Sequence, residues 1–193
     1  MRSGVPWQNT VGMDIEGKTL GVLGLGKLGA RAAGVAKAFG MKVIAWSQNL
    51  TPERCKELGV EYASKDDLFR NADIVTIHLQ LSDRTRGLVT AKELGLMKKT
   101  AYLVNTSRGS VANLDHVLAA LDSGQLDCAG LDVLPKEPPE ADHAVLRHPR
   151  VLLTPHAAFY SVEGERALRR KAAQNLVDWA RTGRPTYVVS EGR

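Results

Sequence analysis

Residues 18–40 read KTLGVLGLGKLGARAAGVAKAFG, and they carry the clearest structural signal in the chain. Its apolar start, Thr19 to Leu23, predicts a short buried strand. Three glycines with the spacing G-x-G-x-x-G follow, at Gly24, Gly26 and Gly29. A helical period then runs to a stop at Gly40, with apolar residues at Leu28, Ala32, Val35 and Phe39. The stretch therefore predicts a strand, a tight turn and a helix in immediate succession.

Each glycine of this turn has its own physical role. The first allows the sharp strand-to-helix turn, the second lets the backbone approach a pyrophosphate, and the third lets helix and strand pack closely. The helix N-terminus adds unpaired N–H groups and the positive end of a dipole. This order predicts a dinucleotide-binding site, and we assign to it the residues of the turn and the helix start: Gly24, Gly26, Lys27, Leu28 and Gly29.

The rest of the chain alternates strands and helices. Further strands are predicted at 42–46, 73–79, 101–104, 126–134 and 151–153. Helices are predicted to start after Thr51, Ser64 and Asn113, near Ala91, and from about Ser161 to Thr182. Such alternation is typical of βαβ units. The predicted fold class is α/β, a doubly wound parallel sheet of the Rossmann type with a C-terminal helix.

Composition narrows the functional classes. The chain has 193 residues, enough for one full core, and a net charge of +5. Its basic residues are scattered among acidic ones, which argues against a nucleic-acid partner and favours a site for anionic ligands. Two cysteines without metal or redox spacing, no metal-ligand cluster, and no signal or long apolar segment predict a cytoplasmic protein with no metal and no membrane partner.

The end of the second strand bears on cofactor choice. NAD-binding sites commonly place an Asp or Glu about 20 residues after the glycines, to bind the ribose hydroxyls. This chain has Trp46-Ser47-Gln48-Asn49 there. Without a carboxylate nothing repels a 2′-phosphate, and Ser47, Gln48 or Arg54 would contact one. We therefore expect NAD or NADP as cofactor and favour NADP or dual use, the alternative being a weak or relaxed NAD site.

Three further polar landmarks follow predicted strand ends, where open α/β sheets bind ligands. They are Arg108 in NTSRG, Asp132 with Glu137 beyond it, and His156 in TPH. An arginine, a carboxylate and a histidine converging there indicate anion capture and proton transfer. Taken singly, Arg108 is also consistent with a surface charge, Glu137 with a loop acid and His156 with a core histidine.

Five stretches together resemble the D-isomer-specific 2-hydroxyacid dehydrogenase family: GKTLGVLGLGKLG, IHLQLSDRTRGLV, LVNTSRGSVANLDHVLAAL, AGLDVLPKEPP and LLTPHAAFYS. The resemblance implies that Arg108, Glu137 and His156 form a catalytic set. Arg108 would bind the substrate carboxylate and polarise the keto oxygen. His156 would donate a proton to that oxygen as hydride arrives from the nicotinamide. Glu137 would orient the imidazole and favour its protonated form.

The same resemblance implies further cofactor contacts. Asp132 would hold the nicotinamide carboxamide, and Leu79, Gln80, Thr85, Asn105 and Thr106 would line the cofactor. To these predicted cofactor contacts we add Ser47 and Gln48 from the end of the second strand, and His156 and Ala158. It also implies a small 2-keto or 2-hydroxy acid as substrate and a homodimer formed through the cofactor domain. Apolar surface around Trp7 and Trp179 would favour such pairing, because burial removes it from water.

Two departures from the family pattern lower the activity that we expect of this chain. His156 is followed by Ala157-Ala158-Phe159-Tyr160, a variant that resembles the carboxy-terminal binding protein branch. A non-catalytic dinucleotide-binding module acting through protein partners is therefore the alternative, while a methyltransferase would leave the three catalytic candidates unexplained. Residues 1–17 resemble the crossover from a substrate domain, followed by the cofactor domain at 18–160 and a C-terminal helix and tail at 161–193. The second departure is that this sequence lacks most of the family's substrate domain, which would form the other half of the cleft. We therefore expect a truncated form that binds the cofactor with weak or no turnover.

Overall fold

The computed structural model describes residues 12–188. Within this range seven parallel strands form one sheet in the order β3-β2-β1-β4-β5-β6-β7. Chain order reverses between β1 and β4, so the predicted doubly wound parallel sheet is confirmed. The strands are β1 Thr19–Leu23, β2 Lys42–Trp46, β3 Glu61–Tyr62, β4 Ile74–Ile77, β5 Tyr102–Asn105, β6 Cys128–Leu131 and β7 Val151–Leu153.

Helices connect the strands, and their starts follow the predicted capping signals. In the described residues they are α1 Lys27–Ala38, α2 Pro52–Glu57, α3 Lys65–Asn71, α4 Ala91–Leu96, α5 Leu114–Asp122 and α6 Val162–Thr182. The side chains of Thr51, Ser64 and Asn113 each accept a hydrogen bond from a backbone N–H of the first turn. These bonds satisfy donors that a helix start would otherwise leave unpaired.

Both faces of the sheet are covered. Along β1, Leu20 and Val22 belong to one buried cluster and Leu23 to the other. Successive side chains of a strand point to opposite faces, so the two clusters lie on opposite sides of the sheet. This explains why β1 is an almost continuous apolar run, as is usual for parallel strands buried on both faces.

The side of α1 that packs on the sheet differs from the predicted one. The predicted apolar stripe includes Leu28, Val35 and Phe39, yet these side chains are 68%, 60% and 60% exposed. The buried positions are small residues instead: Gly29, Ala33 and Ala36. Small side chains let the helix axis approach β1 closely, which the larger residues would prevent.

Two strand predictions are also corrected. The runs 73–79 and 126–134 are predicted as strands, but pairing ends at Ile77 and Leu131, and the residues beyond them enter loops. The two-residue strand β3 is not predicted by the sequence. Its residues, Glu61 and Tyr62, are exposed at the sheet edge and carry no apolar alternation.

The last helix stands apart from the core. None of the described residues of α6 is buried, and Leu168, Leu176 and Trp179 are exposed apolar residues. Trp7, the other tryptophan expected to need cover, lies outside the described residues. Among the described helices, none has the length and apolar content to cross a membrane.

Glu93 joins two helices at the edge of the core. It is 3% exposed, closes a capping box with Thr90 and pairs with Lys65 of α3, whose Nζ is 2.9 Å from Oε1. Burial raises the pKa of Glu93, but hydrogen bonds from Lys65 and Thr90 outweigh it and lower that pKa from 4.5 to about 2. A lowered folded-state pKa stabilises the fold above pH 4.5, and this contribution is lost as pH falls towards 2.

We therefore expect Glu93→Gln to lower the free energy of unfolding at pH 7 by about 2–3 kcal/mol, since one pKa unit corresponds to about 1.4 kcal/mol. The loss should shrink as pH falls below the unfolded-state pKa. Urea denaturation followed by circular dichroism at pH 7 and pH 3 measures both. Glu57→Gln is the control, because Glu57 forms an exposed pair with Arg54 and should change stability by less than about 0.5 kcal/mol. Equal losses for the Glu93 variant at both pH values would contradict the expectation.

The strand register brings the predicted polar residues to one edge of the sheet. Leu23 pairs with Trp46 and Ile77, and the same row continues through Asn105, Leu131 and Leu153. The carboxyl ends of six strands therefore lie in line. The loops that follow them carry the glycine turn, Ser47, Arg108, Asp132 and His156.

Candidate active site

The glycine turn has one crowded side and one open side. Gly24 has φ +106°, and a Cβ there would lie 2.8 Å from the carbonyl oxygen of His78. A Cβ at Gly29 would lie 2.0 Å from the carbonyl oxygen of Gly24, whereas at Gly26 it would meet no atom within 4 Å. The first and third glycines are thus required by packing inside the protein. The second leaves space in front of the backbone.

That space suits the pyrophosphate of a dinucleotide. Helix α1 starts directly after Gly26, and no side chain caps its N-terminus. Its first N–H groups and the positive end of its dipole therefore remain for a phosphate. Lys27 and Leu28 are the first two residues of α1 and are exposed beside the turn.

The loop after β4 closes against the same turn. Leu79 lies beside Gly24, and its carbonyl accepts a hydrogen bond from the Ser107 hydroxyl. The hydroxyl of Thr85, which is buried, donates to the Gln80 carbonyl over 2.6 Å. These bonds fix Leu79 and Gln80 next to the glycine turn.

Asn105 organises the loop that carries Arg108. It is 1% exposed; its Nδ2 donates to the Arg108 carbonyl over 3.1 Å, and its Oδ1 accepts from the Ser107 N–H over 3.1 Å. The next residue, Thr106, is exposed. A buried amide with both ends bonded holds the loop backbone in one conformation.

Gly109 brings this loop to the one that carries Glu137. A Cβ at Gly109 would lie 2.0 Å from the backbone of Leu134, so only glycine permits the contact. The exposed Arg108 guanidinium donates to the Ser107 carbonyl over 2.7 Å and forms no ion pair with any carboxylate of residues 12–188. Its charge is therefore open to an anionic ligand.

Asp132 holds the backbone around His156. Its two carboxylate oxygens accept hydrogen bonds from the Thr154 hydroxyl and from the N–H groups of Ala157 and Ala158, at 2.5, 2.8 and 3.0 Å. Burial raises the pKa of Asp132, but these hydrogen bonds outweigh it and hold that pKa below its usual value. The carboxylate thus stays ionised, and both of its oxygens accept hydrogen bonds from within the protein.

His156 and Glu137 form a direct pair. The distance from His156 Nδ1 to Glu137 Oε2 is 2.7 Å, and Glu137 Oε1 accepts from the Leu134 N–H, also over 2.7 Å. Burial raises the pKa of Glu137, but hydrogen bonds from His156 and Leu134 outweigh it and lower the pKa overall. A charged carboxylate at Nδ1 fixes the ring orientation and directs Nε2 away from Glu137.

The backbone at His156 is strained. Its φ is +53°, in the left-handed region that non-glycine residues rarely adopt, and its N–H donates to the Asp132 carbonyl over 2.8 Å. Strain of this kind persists only where surrounding bonds enforce it, and it is enriched at functional sites. A pocket of about 390 Å³ lies beside the pair, lined in part by Asp132, Glu137, Leu153 and His156.

The residues predicted to select the cofactor differ in their partners in the structure. Gln48 Nε2 donates to the Arg84 carbonyl over 3.1 Å, so this amide ties two loops together. The half-buried Ser47 has no side-chain hydrogen bond among the described residues. Arg54 pairs with Glu57 over 2.7 Å. Arg84 is not among the predicted residues, because it is distant in sequence from this loop and approaches it only through folding.

Comparison with known proteins agrees with this geometry. The family model described as D-isomer specific 2-hydroxyacid dehydrogenase, NAD binding domain, matches residues 1–158. The chain belongs to this family. It is 43% identical to a glyoxylate reductase of Aeropyrum pernix over 190 residues, which cover 98% of this chain and 57% of that protein. The family description names an NAD binding domain and the relative is a reductase, so the predicted family is confirmed.

Solved structures of the family superpose on the chain. A glyoxylate reductase from Paecilomyes thermophila is 34% identical with a TM-score of 0.85, covering 97% of this chain and 56% of that one. A D-isomer specific 2-hydroxyacid dehydrogenase from Lactobacillus delbrueckii ssp. bulgaricus, in an NAD-complexed form, is 31% identical with a TM-score of 0.82, covering 96% and 60%. The chain thus spans a little over half the length of these dehydrogenases.

Proposed function

We propose that this chain binds a nicotinamide dinucleotide and carries the catalytic groups that interconvert a small 2-hydroxy acid and its 2-keto acid. The observation that carries the proposal is the 2.7 Å pair between His156 Nδ1 and Glu137 Oε2 on a backbone held by Asp132. A histidine fixed in this way, beside a pocket and a sheet edge with a dinucleotide turn, is suited to proton transfer.

Each catalytic residue has one task in this proposal. A nicotinamide bound at this site would supply or accept the hydride. Arg108, free of carboxylate partners among the described residues, binds the substrate carboxylate and polarises the keto oxygen. His156 donates a proton from Nε2 to that oxygen in reduction and accepts it back in oxidation. Glu137 balances the positive charge of the protonated ring and keeps the ring oriented.

The cofactor residues are assigned in the same way. Gly24, Gly26 and Gly29 with the start of α1 would hold the pyrophosphate, and the ordered loops at Leu79, Gln80, Thr85, Asn105 and Thr106 would line the dinucleotide. Asp132 and Ala158 would lie at the nicotinamide end. The absence of a carboxylate in Trp46–Asn49 favours NADP or dual use.

We further propose that the chain alone turns over slowly. The side chains of His156 and Glu137 are 40% and 37% exposed, and Arg108 is exposed, so the described residues do not exclude water from the site. Residues 18–160 would act as the cofactor domain, with 1–17 and 161–193 as its connections to a substrate domain. The exposed apolar residues Leu28, Val35 and Phe39 support a homodimer formed through this domain, in the cytoplasm.

Fluorescence titration with NADH and NADPH, followed by addition of glyoxylate, hydroxypyruvate or pyruvate, tests the proposal. We expect saturable binding of at least one nucleotide and slow, measurable oxidation of it with at least one keto acid. Binding without any oxidation, at protein concentrations above that of the nucleotide, would favour a non-catalytic dinucleotide-binding module. Rapid steady-state turnover would refute the slow-turnover proposal, and no binding would refute the cofactor assignment.

A further inference from the structure

Two loops meet beside the carboxyl end of β2. Gln48, in the loop after β2, donates from Nε2 to the carbonyl of Arg84, in the loop after β4. The Arg84 guanidinium in turn donates from Nη2 to Asn49 Oδ1 over 3.4 Å. The two contacts run in opposite directions between the same two loops. They hold a cationic side chain beside the segment where dinucleotide sheets recognise the adenosine ribose.

No ion pair among residues 12–188 neutralises the Arg84 guanidinium at this point. The segment Trp46–Asn49 contains no acid. Arg84 forms no ion pair with a carboxylate of residues 12–188, that of the adjacent Asp83 included. Arg54, the other arginine nearby in sequence, is paired with Glu57. Arg84 therefore offers an unneutralised guanidinium, and the hydroxyl of Ser47, which has no hydrogen-bond partner among residues 12–188, lies in the adjoining loop.

We propose that Arg84 is the residue of this chain that binds the 2′-phosphate of NADP(H), with Ser47 donating a second hydrogen bond. The inference rests on the proposed dinucleotide binding and adds the specificity-determining residue. A phosphate monoester carries close to two negative charges, and a planar guanidinium matches its oxygens. The bond to Asn49 orients the guanidinium before the ligand arrives, which reduces the entropy lost on binding.

The test compares NADPH and NADH affinities of the full chain and of Arg84→Gln by fluorescence titration. We expect the variant to bind NADPH about 10- to 100-fold more weakly, since the loss of a charge-assisted hydrogen bond to phosphate lowers affinity by about that factor. Its NADH affinity should change less than about twofold, because NADH lacks the 2′-phosphate. Arg84 is exposed, so the substitution should not disturb folding.

Arg86→Gln is the matched control. It removes the same charge from the same loop two residues further on, but Arg86 lines a separate pocket with Asp115 and Lys136. This variant should retain the wild-type ratio of the two affinities. Adenosine 2′,5′-bisphosphate and adenosine 5′-monophosphate, each used to displace NADPH, differ only by the 2′-phosphate. In Arg84→Gln only the bisphosphate should lose affinity.

The outcomes separate the two proposals. If NADH binds and Arg84→Gln leaves the NADPH to NADH ratio unchanged, the assignment of Arg84 is wrong and the cofactor domain stands. The assignment is also wrong if Arg86→Gln changes the ratio as much as Arg84→Gln does, because the effect is then one of general charge. If neither nucleotide binds to the folded wild-type chain, the proposed function itself fails, and the Arg84 assignment fails with it.

Discussion

Replacing His156 by glutamine is expected to slow the oxidation of bound nicotinamide by a keto acid about 100- to 10,000-fold, the range for a lost proton donor. Nδ1 of His156 is engaged by Glu137, which leaves Nε2 as the ring atom that transfers the proton. Glutamine retains a hydrogen-bond donor of similar reach but has no proton to transfer near neutral pH. Nucleotide affinity should change only a few-fold, because the glycine turn is untouched.

Single-turnover kinetics measure this loss despite a slow wild-type rate. Protein is held in excess over reduced nucleotide, and the decay of nucleotide absorbance is followed after adding glyoxylate. His148→Gln is the matched control, since His148 Nε2 also meets a carboxylate, Asp122, at 3.2 Å, but at the end of α5. A His156→Gln rate within threefold of wild type, or an equal loss in His148→Gln, would exclude His156 as the proton donor.

Local sequence signals were sufficient to predict the fold. The apolar run of β1 and the caps at Thr51, Ser64 and Asn113 depend on residues within four positions of one another, and the structure has each of them. The orientation of α1 depends on the close approach of Gly29 to Gly24 within the glycine turn, which requires small residues on the packed side of the helix. A count of large apolar residues therefore selected the wrong face of this helix.

The candidate site divides in the same way. Arg108, Glu137 and His156 each follow a predicted strand end, so parallel-sheet geometry alone brings their loops to one edge. The bonds that give them a defined geometry are not local. The Gly109–Leu134 approach and the Asp132 contacts to Ala157 and Ala158 join loops from different strands. No spacing in the sequence indicates such pairings.

Arg84 shows the same limit for specificity. The sequence directs attention to the residues directly after β2, because that is where the rule for ribose recognition applies. The cation that the structure brings there comes from a loop 35 residues further along the chain, through the bond to Asn49. Parallel sheets place loops of non-consecutive strands side by side, so a neighbour in space need not be a neighbour in sequence.

Valine at Gly26 and alanine at Gly29 are expected to fail in different ways. A Cβ at Gly26 meets no protein atom, and its φ of −81° suits any residue, so Gly26→Val should fold normally. Its side chain would occupy the space in front of the N-terminus of α1, and we expect nucleotide affinity to fall more than about 100-fold. Thermal denaturation and nucleotide fluorescence on the same sample measure both effects.

Gly29→Ala should instead damage the fold. Its Cβ would lie 2.0 Å from the Gly24 carbonyl oxygen, so α1 must move away from β1, at a cost of about 3 kcal/mol or more. Gly34→Ala is the control, because Gly34 lies on the exposed side of α1 with no atom near its Cβ. It should lower neither the stability nor the nucleotide affinity.

Normal nucleotide binding by Gly26→Val would show that phosphates do not approach this turn. An unchanged melting temperature in Gly29→Ala would show that the helix tolerates separation from the strand, and close packing would then not explain the third glycine.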